Sequence, residues 1–404
     1  MRDGLTRRGS VARRSARWLF LFFAAVVLAR AIPAQSPPEG EFRILRTEHF
    51  EIHAAEEDAL ILAQQMEGRF AAYNRVFRFN PGSLSGPLRV RAFRSREGYE
   101  SHVAARVDGA VPPGAVYLHF AQADLRELVI HMGNESGALP FQAFIQFLRA
   151  FVPNPPLWIR DGFGVHFATL GFDTEGELAH RENLAWLDAV KAMPEPPGPE
   201  AIMRTLAPET MENFPGLAWS LVSFFLNSGN ETYLRSLSEG FMMLSYRNTI
   251  VENTEAVASR IALWNDMDVM ARDHLAYLAT RNSFVDLIAA GQAAYIGGRP
   301  DEAEAIFRSA LYIRSDHYAP WYYLGLMAYN AGDTEAAERY YRIALNFGAD
   351  NASVLYALAL NAATAGRTEE ALELLRQTAE LAPERFGERA QTLIDQLDNI
   401  RVRR

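Results

Sequence analysis

Cysteine is absent from all 404 residues. Without it there is no disulfide, no thiol nucleophile, no thiolate metal ligand and no cysteine near the N-terminus to carry a lipid. The fold must be held by its core alone, and a 49% hydrophobic fraction over this length supplies enough for two or three domains. Also missing are a G-x-S-x-G elbow, a phosphate loop and a dinucleotide-binding glycine fingerprint, so the commonest enzyme signatures have nothing to stand on. No apolar run reaches the roughly 20 residues of a spanning helix. An excess of positive charge is lacking too. The formal net charge of −9 argues against nucleic acid or an anionic membrane as partner.

What is present begins with an address. In "MRDGLTRRGSVARRSARWLFLFFAAVVLARAIPAQS" arginines precede an apolar stretch from Trp18 to Ala29, and small residues follow to Ala34. That order describes a secretory signal peptide over residues 1–34, cleaved after Ala34, and predicts an exported, periplasmic or secreted protein with no stable membrane span after cleavage. Arg13 and Arg14 hint at twin-arginine export, though their flanks fit it poorly. The segment carries seven arginines against Asp3, so the mature chain stands at about −15.

The clearest organisation lies at the other end. Gly298, Gly332 and Gly366 are spaced by 34 residues, as are Ala303, Ala337 and Ala371. This is the period of paired antiparallel helices, and "PWYYLGLMAYNAGDTEAAERYYRIALNFGAD" resembles the tetratricopeptide repeat, with Trp321, Leu324, Gly325, Ala337, Tyr341 and Ala344 in the family's positions. Three repeats follow, 284–317, 318–351 and 352–385, in which Phe307, Tyr341 and Leu375 occupy one slot. Phe386 to Ile400 then reads as a capping helix. In such a stack the inner faces of the first helices bind protein or peptide; here they offer Gln292, Tyr295, Tyr322, Leu326, Tyr329, Asn330 and Tyr356. That groove is aromatic and nearly uncharged, unlike a basic carboxylate clamp, and tyrosines there also serve as packing residues.

Residues 35–282 are a different object. "EHFEIHA" and "PLRVRAF" alternate like half-buried strands, with "GAVYLHF" and "RELVIHM" as further strands. Between the first two, Ala63, Met66, Phe70, Tyr73 and Phe77 share one helical face. From Pro140 the pattern is helical: Phe141–Val152, Leu157–Leu170, Gly176–Ala192, Leu217–Asn227 and Glu231–Leu244. The class expected is therefore an α+β domain, a small sheet plus helices, followed by an all-α repeat solenoid. Pro194, Pro196, Pro197 and Pro199 read as a loop without a change of domain.

One stretch, "LPFQAFIQFLRAFVPNPPLWIRDGFGVHF", bears on chemistry. "PLWIRDGFG" resembles the second motif of the peptidase MA-like gluzincins, zinc peptidases in which an HExxH helix is followed by a helix carrying a glutamate ligand. The order of elements over 41–282 resembles that zincin-like domain as well. The resemblance puts the HExxH slot on Gln142 to Gln146, and the third ligand on Asp161. Gln142 and Gln146 then replace both histidines, Ala143 replaces the catalytic glutamate, and Asp161 is one methylene short. Carboxamides are poor zinc ligands and alanine takes no proton, so the resemblance implies a pseudoenzyme without catalytic residues, metal or cofactor. Read without it, Gln142, Gln146 and Arg149 form the polar stripe of an amphipathic helix opposite Phe141, Phe144, Leu148 and Phe151. His131, Glu135, Asp161 and His166 are the nearest candidates for a rebuilt metal site, but their spacing matches no helix-based ligand pair. Three functions are compatible: a non-catalytic binding scaffold holding peptide beside an edge strand and in the repeat groove, a zinc metallopeptidase with unorthodox ligands, and a structural envelope component with its cleft filled.

Overall fold

The computed structural model describes residues 42–133, 138–172 and 178–403. The expected signal peptide 1–34 and Glu135 lie outside the described residues. The elements are β1 (Arg43–Arg46), β2 (Phe50–Ala54), α1 (Glu56–Phe77), β3 (Leu88–Phe93), α2 (Arg96–Ala104), β4 (Ala115–Leu118), β5 (Glu127–His131), α3 (Ala138–Phe151), α4 (Leu157–Phe167), β6 (Gly171–Phe172) and β7 (Leu178–Ala179). Helices follow: α5 (Leu187–Lys191), α6 (Pro199–Arg204), α7 (Phe214–Asn227), α8 (Glu231–Phe241), α9 (Ile250–Trp264), α10 (Met267–Thr280) and α11 (Phe284–Ile296). The last six are α12 (Pro300–Ile313), α13 (Tyr318–Asn330), α14 (Thr334–Asn346), α15 (Asn351–Thr364), α16 (Thr368–Leu381) and α17 (Pro383–Arg403). A small mixed sheet is thus followed by a long run of helices, the α+β and then all-α layout that the patterns predict.

Two compact units share the chain. The first comprises Met1–Asn183 and Pro197–His274, the second Leu184–Pro196 and Leu275–Arg404. The proline segment read as a loop within one domain is therefore where the chain returns from the second unit to the first, and the later division falls inside α10. Composition gives no sign of this excursion because the inserted piece is short.

In the first unit the strands are ordered β1-β2-β3-β5-β4, with β2, β3 and β5 parallel and both edges antiparallel. Alternation sends Val129 and Leu118 toward α2, where they pack with Phe93, Tyr99 and Val103. The opposite face, carrying Tyr117, Leu128 and Ile130, meets α3. The face of α1 expected to be apolar is buried: Ala63, Met66, Phe70, Tyr73 and Phe77 are at most 5% exposed. Their rings join Phe144, Phe147, Phe163 and Phe241; the Phe77 centroid stands 4.9 Å from Phe163 and 4.5 Å from Phe241. Each such side chain contributes about 1.5–3 kcal/mol by leaving water, so this cluster is what fixes α1, α3 and α4 together.

Of the helix expected over 176–192 only the end forms: residues 178–179 are a strand, Leu184–Trp186 make a single 3-10 turn, and α5 follows from Leu187 to Lys191. The intervening side chains cap α4 instead: His180 Nε2 lies 2.9 Å from the His166 carbonyl, and Asn183 Nδ2 donates to the Val165 carbonyl at 3.1 Å. The last-turn carbonyls of α4 thus find side-chain partners from this segment.

In the second unit α11/α12, α13/α14 and α15/α16 form three antiparallel pairs. Gly298, Gly332 and Gly366 turn each pair at φ of 71°, 80° and 77°, a region open to glycine. The next N–H, of Arg299, Asp333 or Arg367, donates back into the finished helix at 3.0, 3.0 and 2.8 Å. Helix α17 buries Ala390 and Ile394 against Leu372, Leu375 and Ala359, closing the last apolar face.

Candidate functional site

Helix α3 is tied to the sheet by its polar stripe. Gln142 Oε1 accepts the Tyr117 N–H at 3.0 Å, and Gln146 Nε2 donates to the Arg89 carbonyl at 2.8 Å. Gln146 is 2% exposed, so the stripe is not a solvated face; it runs beneath the sheet. Ala143, between them, is buried as well. Of the two glutamines only Gln146 keeps an orphan, its buried Oε1.

The bond to Tyr117 changes what the edge strand offers. His131 donates to Gly114, so in this antiparallel ladder Val116 and Leu118 face β5 while Tyr117 points its N–H outward. Gln142 occupies that donor. Either "GAVYLHF" or "RELVIHM" could supply an edge for peptide; of the strands they form, β5 lies between β3 and β4 and has none free, and β4 is an edge.

Asp161 sits on α4, where Gly162 allows α7 close: a Cβ there would meet the Ala218 carbonyl oxygen at 2.5 Å. Arg160 clamps the carboxylate through both oxygens, at 2.6 and 2.9 Å. No hydrogen bond joins Asp161 to either glutamine among the described residues. What links the two helices electrically is Arg149, the next residue along the stripe, which interacts with Asp161, Arg160, Tyr117 and Arg126. Sequence reading counted Arg149 only as part of the stripe and missed Tyr117, His119, Arg126 and Arg160. Tyr117 and His119 were detectable as same-face positions of one strand; their meeting with Arg149 was not.

The histidines suggested for a rebuilt metal site stand apart. His131 stacks on Tyr99 at 5.9 Å on the α2 side, whereas His166 on α4 is buried 4.4 Å from the His180 ring. Burial and the neighbouring His180 push His166 down to about 3. Among the described residues no three of His, Asp and Glu are grouped as a metal site.

A second polar cluster lies across the sheet. Glu127, 4% exposed, is held by His102 at 2.7 Å, Arg91 at 3.0 Å and Arg106 at 3.3 Å. Burial alone raises a carboxyl, but the His102 hydrogen bond and the Arg91 charge hold Glu127 at about 2. Every oxygen is engaged, so the cluster braces α2 rather than offering a base.

In the repeats the tyrosines do double duty. Asn330 Nδ2 donates to the Tyr295 hydroxyl at 3.1 Å, and one repeat later Thr364 Oγ1 lies 3.3 Å from the Tyr329 hydroxyl. Tyr322 packs between Tyr323 and Tyr341, Leu326 leans on the same core, and Tyr356 stacks on Phe386 at 5.0 Å. Gln292 is bonded to Tyr323. Of the seven expected groove residues Asn330 is exposed and the other six are half-buried, all on the first helix of a pair. Compared with known proteins, the chain matches no family model and no curated sequence at a significant level.

Proposed function

We propose that this is an exported, non-catalytic binding scaffold: a gluzincin-like unit whose peptidase chemistry is gone, followed by a tetratricopeptide stack that takes protein or peptide. One observation carries the non-catalytic part. The side chains at 142 and 146, where the resemblance puts metal ligands, are neutral carboxamides spent on sheet backbone, with Ala143 between them in place of a base. Asp161, the remaining member, is already neutralised by Arg160. The helix pairs at the 34-residue period are compatible with the repeat resemblance.

Metal analysis and hydrolysis of the purified full chain test this. The expected result is sub-stoichiometric zinc and no chelator-sensitive cleavage of casein. Tightly bound zinc, or proteolysis abolished by a chelator, overturns the reading in favour of a metallopeptidase with unorthodox ligands.

Two features favour the structural envelope reading as the alternative: Phe144 and Trp158 are fully buried, and Gln142 already holds the edge N–H that a bound strand needs. A pull-down separates them. Recognition through the repeats requires that replacing Tyr322, Tyr329 and Tyr356 with alanine release partners that the wild-type chain retains.

A further inference from the structure

We propose that the face shared by β4 and the C-terminal half of α3 binds an anionic oxygen group, a carboxylate or a phosphate, with Arg149 as its principal partner. This goes beyond the scaffold reading and does not depend on the peptidase resemblance. Its starting point is an imbalance of partners. Gln142 and Gln146 are committed to Tyr117 and Arg89, Arg160 to Asp161, and Arg126 to the carbonyls of Phe120 and Ala121 at 2.6 and 3.0 Å. Arg149, a half-buried guanidinium in their midst, has no hydrogen bond or ion pair among the described residues. Arg149 thus feels two like charges, Arg160 and Arg126, and one carboxylate, Asp161, which Arg160 takes through both oxygens.

A guanidinium does not escape such a place by losing its proton. Burial first, and then the charge of Arg160, disfavour the charged form of Arg149. The folded chain therefore carries a cation without a hydrogen-bonded anionic partner among the described residues, and an anion beside it would be favoured. The neutral groups beside it are donors. Tyr117 faces α3 from β4, and its hydroxyl lies 3.4 Å from Nδ1 of His119, just past the strand end. Burial lifts Tyr117 to about 12, so its hydroxyl keeps a proton to donate, and burial with Arg149 and Arg126 holds His119 near 4, a neutral ring. A planar guanidinium fork with a hydroxyl beside it suits a carboxylate or phosphate face, and two anchored arginines need no rearrangement to add their field.

The test uses the full chain at low salt in a buffer without phosphate. Inorganic phosphate, a tripeptide with a free C-terminal carboxylate and the same tripeptide amidated are titrated calorimetrically. We expect phosphate or the acid, and not the amide, to bind, at least tenfold more weakly in Arg149→Gln and more weakly in wild type as salt rises. Arg149→Lys keeps the charge without the fork, and intermediate binding is expected. Phosphate alone assigns a phosphate ester as ligand, the acid alone a peptide or metabolite carboxylate. Binding of neither probe at millimolar concentration, or equal binding by Arg149→Gln, overturns the proposal. So does a loss of stability in Arg149→Met without ligand, because a residue held for binding is expected to unfold no earlier when its charge is removed.

Discussion

At the scale of single residues, what decides the behaviour of the first unit is which buried polar groups have partners. Replacing Gln146 by alanine removes the side chain's bond to the Arg89 carbonyl, which keeps its ladder partner in β5, and should cost about 0.5–1.5 kcal/mol in urea unfolding. The same change at Gln142 should cost less, because the rim N–H of Tyr117 can take water. A pH effect follows from the buried histidines. Burial holds His166 at about 3 and His274, whose Nε2 is 3.1 Å from Ser220 Oγ, at about 4, against an ordinary 6.5. Both stay neutral in the fold where the unfolded chain would bind protons. Their contribution is complete above pH 6.5 and is lost as pH falls toward the folded values, at about 1.4 kcal/mol per pH unit for each histidine. Carboxylates such as Glu127 enter only below about 4.5, so urea midpoints between pH 6.5 and 5 isolate the histidines. They should fall with acidity, and more gently in His274→Gln.

Among the elements, the helix pairs carry the most specific packing rule. A Cβ at Gly325 would stand 2.5 Å from the Tyr341 ring, and one at Gly291 2.7 Å from Phe307. The third pair solves the same contact with Ala359 against a smaller Leu375. Gly325→Ala should therefore destabilise by about 1–3 kcal/mol, even though alanine favours helix over glycine by about 1 kcal/mol. Adding Tyr341→Leu should recover part of that loss, leaving the double variant at least about 1 kcal/mol more stable than the singles predict together. Additive effects in denaturant would mean that the two positions do not share one contact. Size compensation of this kind was legible in the alignment of Gly291, Gly325 and Ala359 at one repeat interval, since both sides of the contact lie within one repeat.

For the molecule as a whole, the repeat array is not built from the C-terminal segment alone. Helix α5 meets α11 in the second unit: Lys191, the chain's only lysine, reaches Asp286 at 2.6 Å and the Arg281 carbonyl at 3.0 Å, and Asp188 accepts the Val285 N–H at 3.3 Å. A fragment of residues 275–404 lacks this piece and should melt several degrees below the same fragment supplied with a peptide of residues 184–196, as read by circular dichroism. Equal melting would show α5 to be a passenger. The proposed export makes its own prediction at this scale: protein recovered from the culture or envelope should begin at Gln35, as read by intact mass, and a mass that includes residues 1–34 would overturn it.

The 34-residue period, the apolar face of α1 and the four expected strands were readable in the sequence because each rests on neighbours a turn, a strand or a repeat away. The polar stripe of α3 was readable in the same way, but its meaning was not. Gln146 finds its partner 57 residues upstream, and Asp188 finds its own 97 residues downstream. Local pattern reports that a side chain is polar; only the folded chain decides whether it faces water, closes a sheet edge or stands beside two other cations. Hydrophobic periodicity acts through averages over many residues, whereas a hydrogen bond or an unpaired charge is settled by a single partner brought near from elsewhere in the chain.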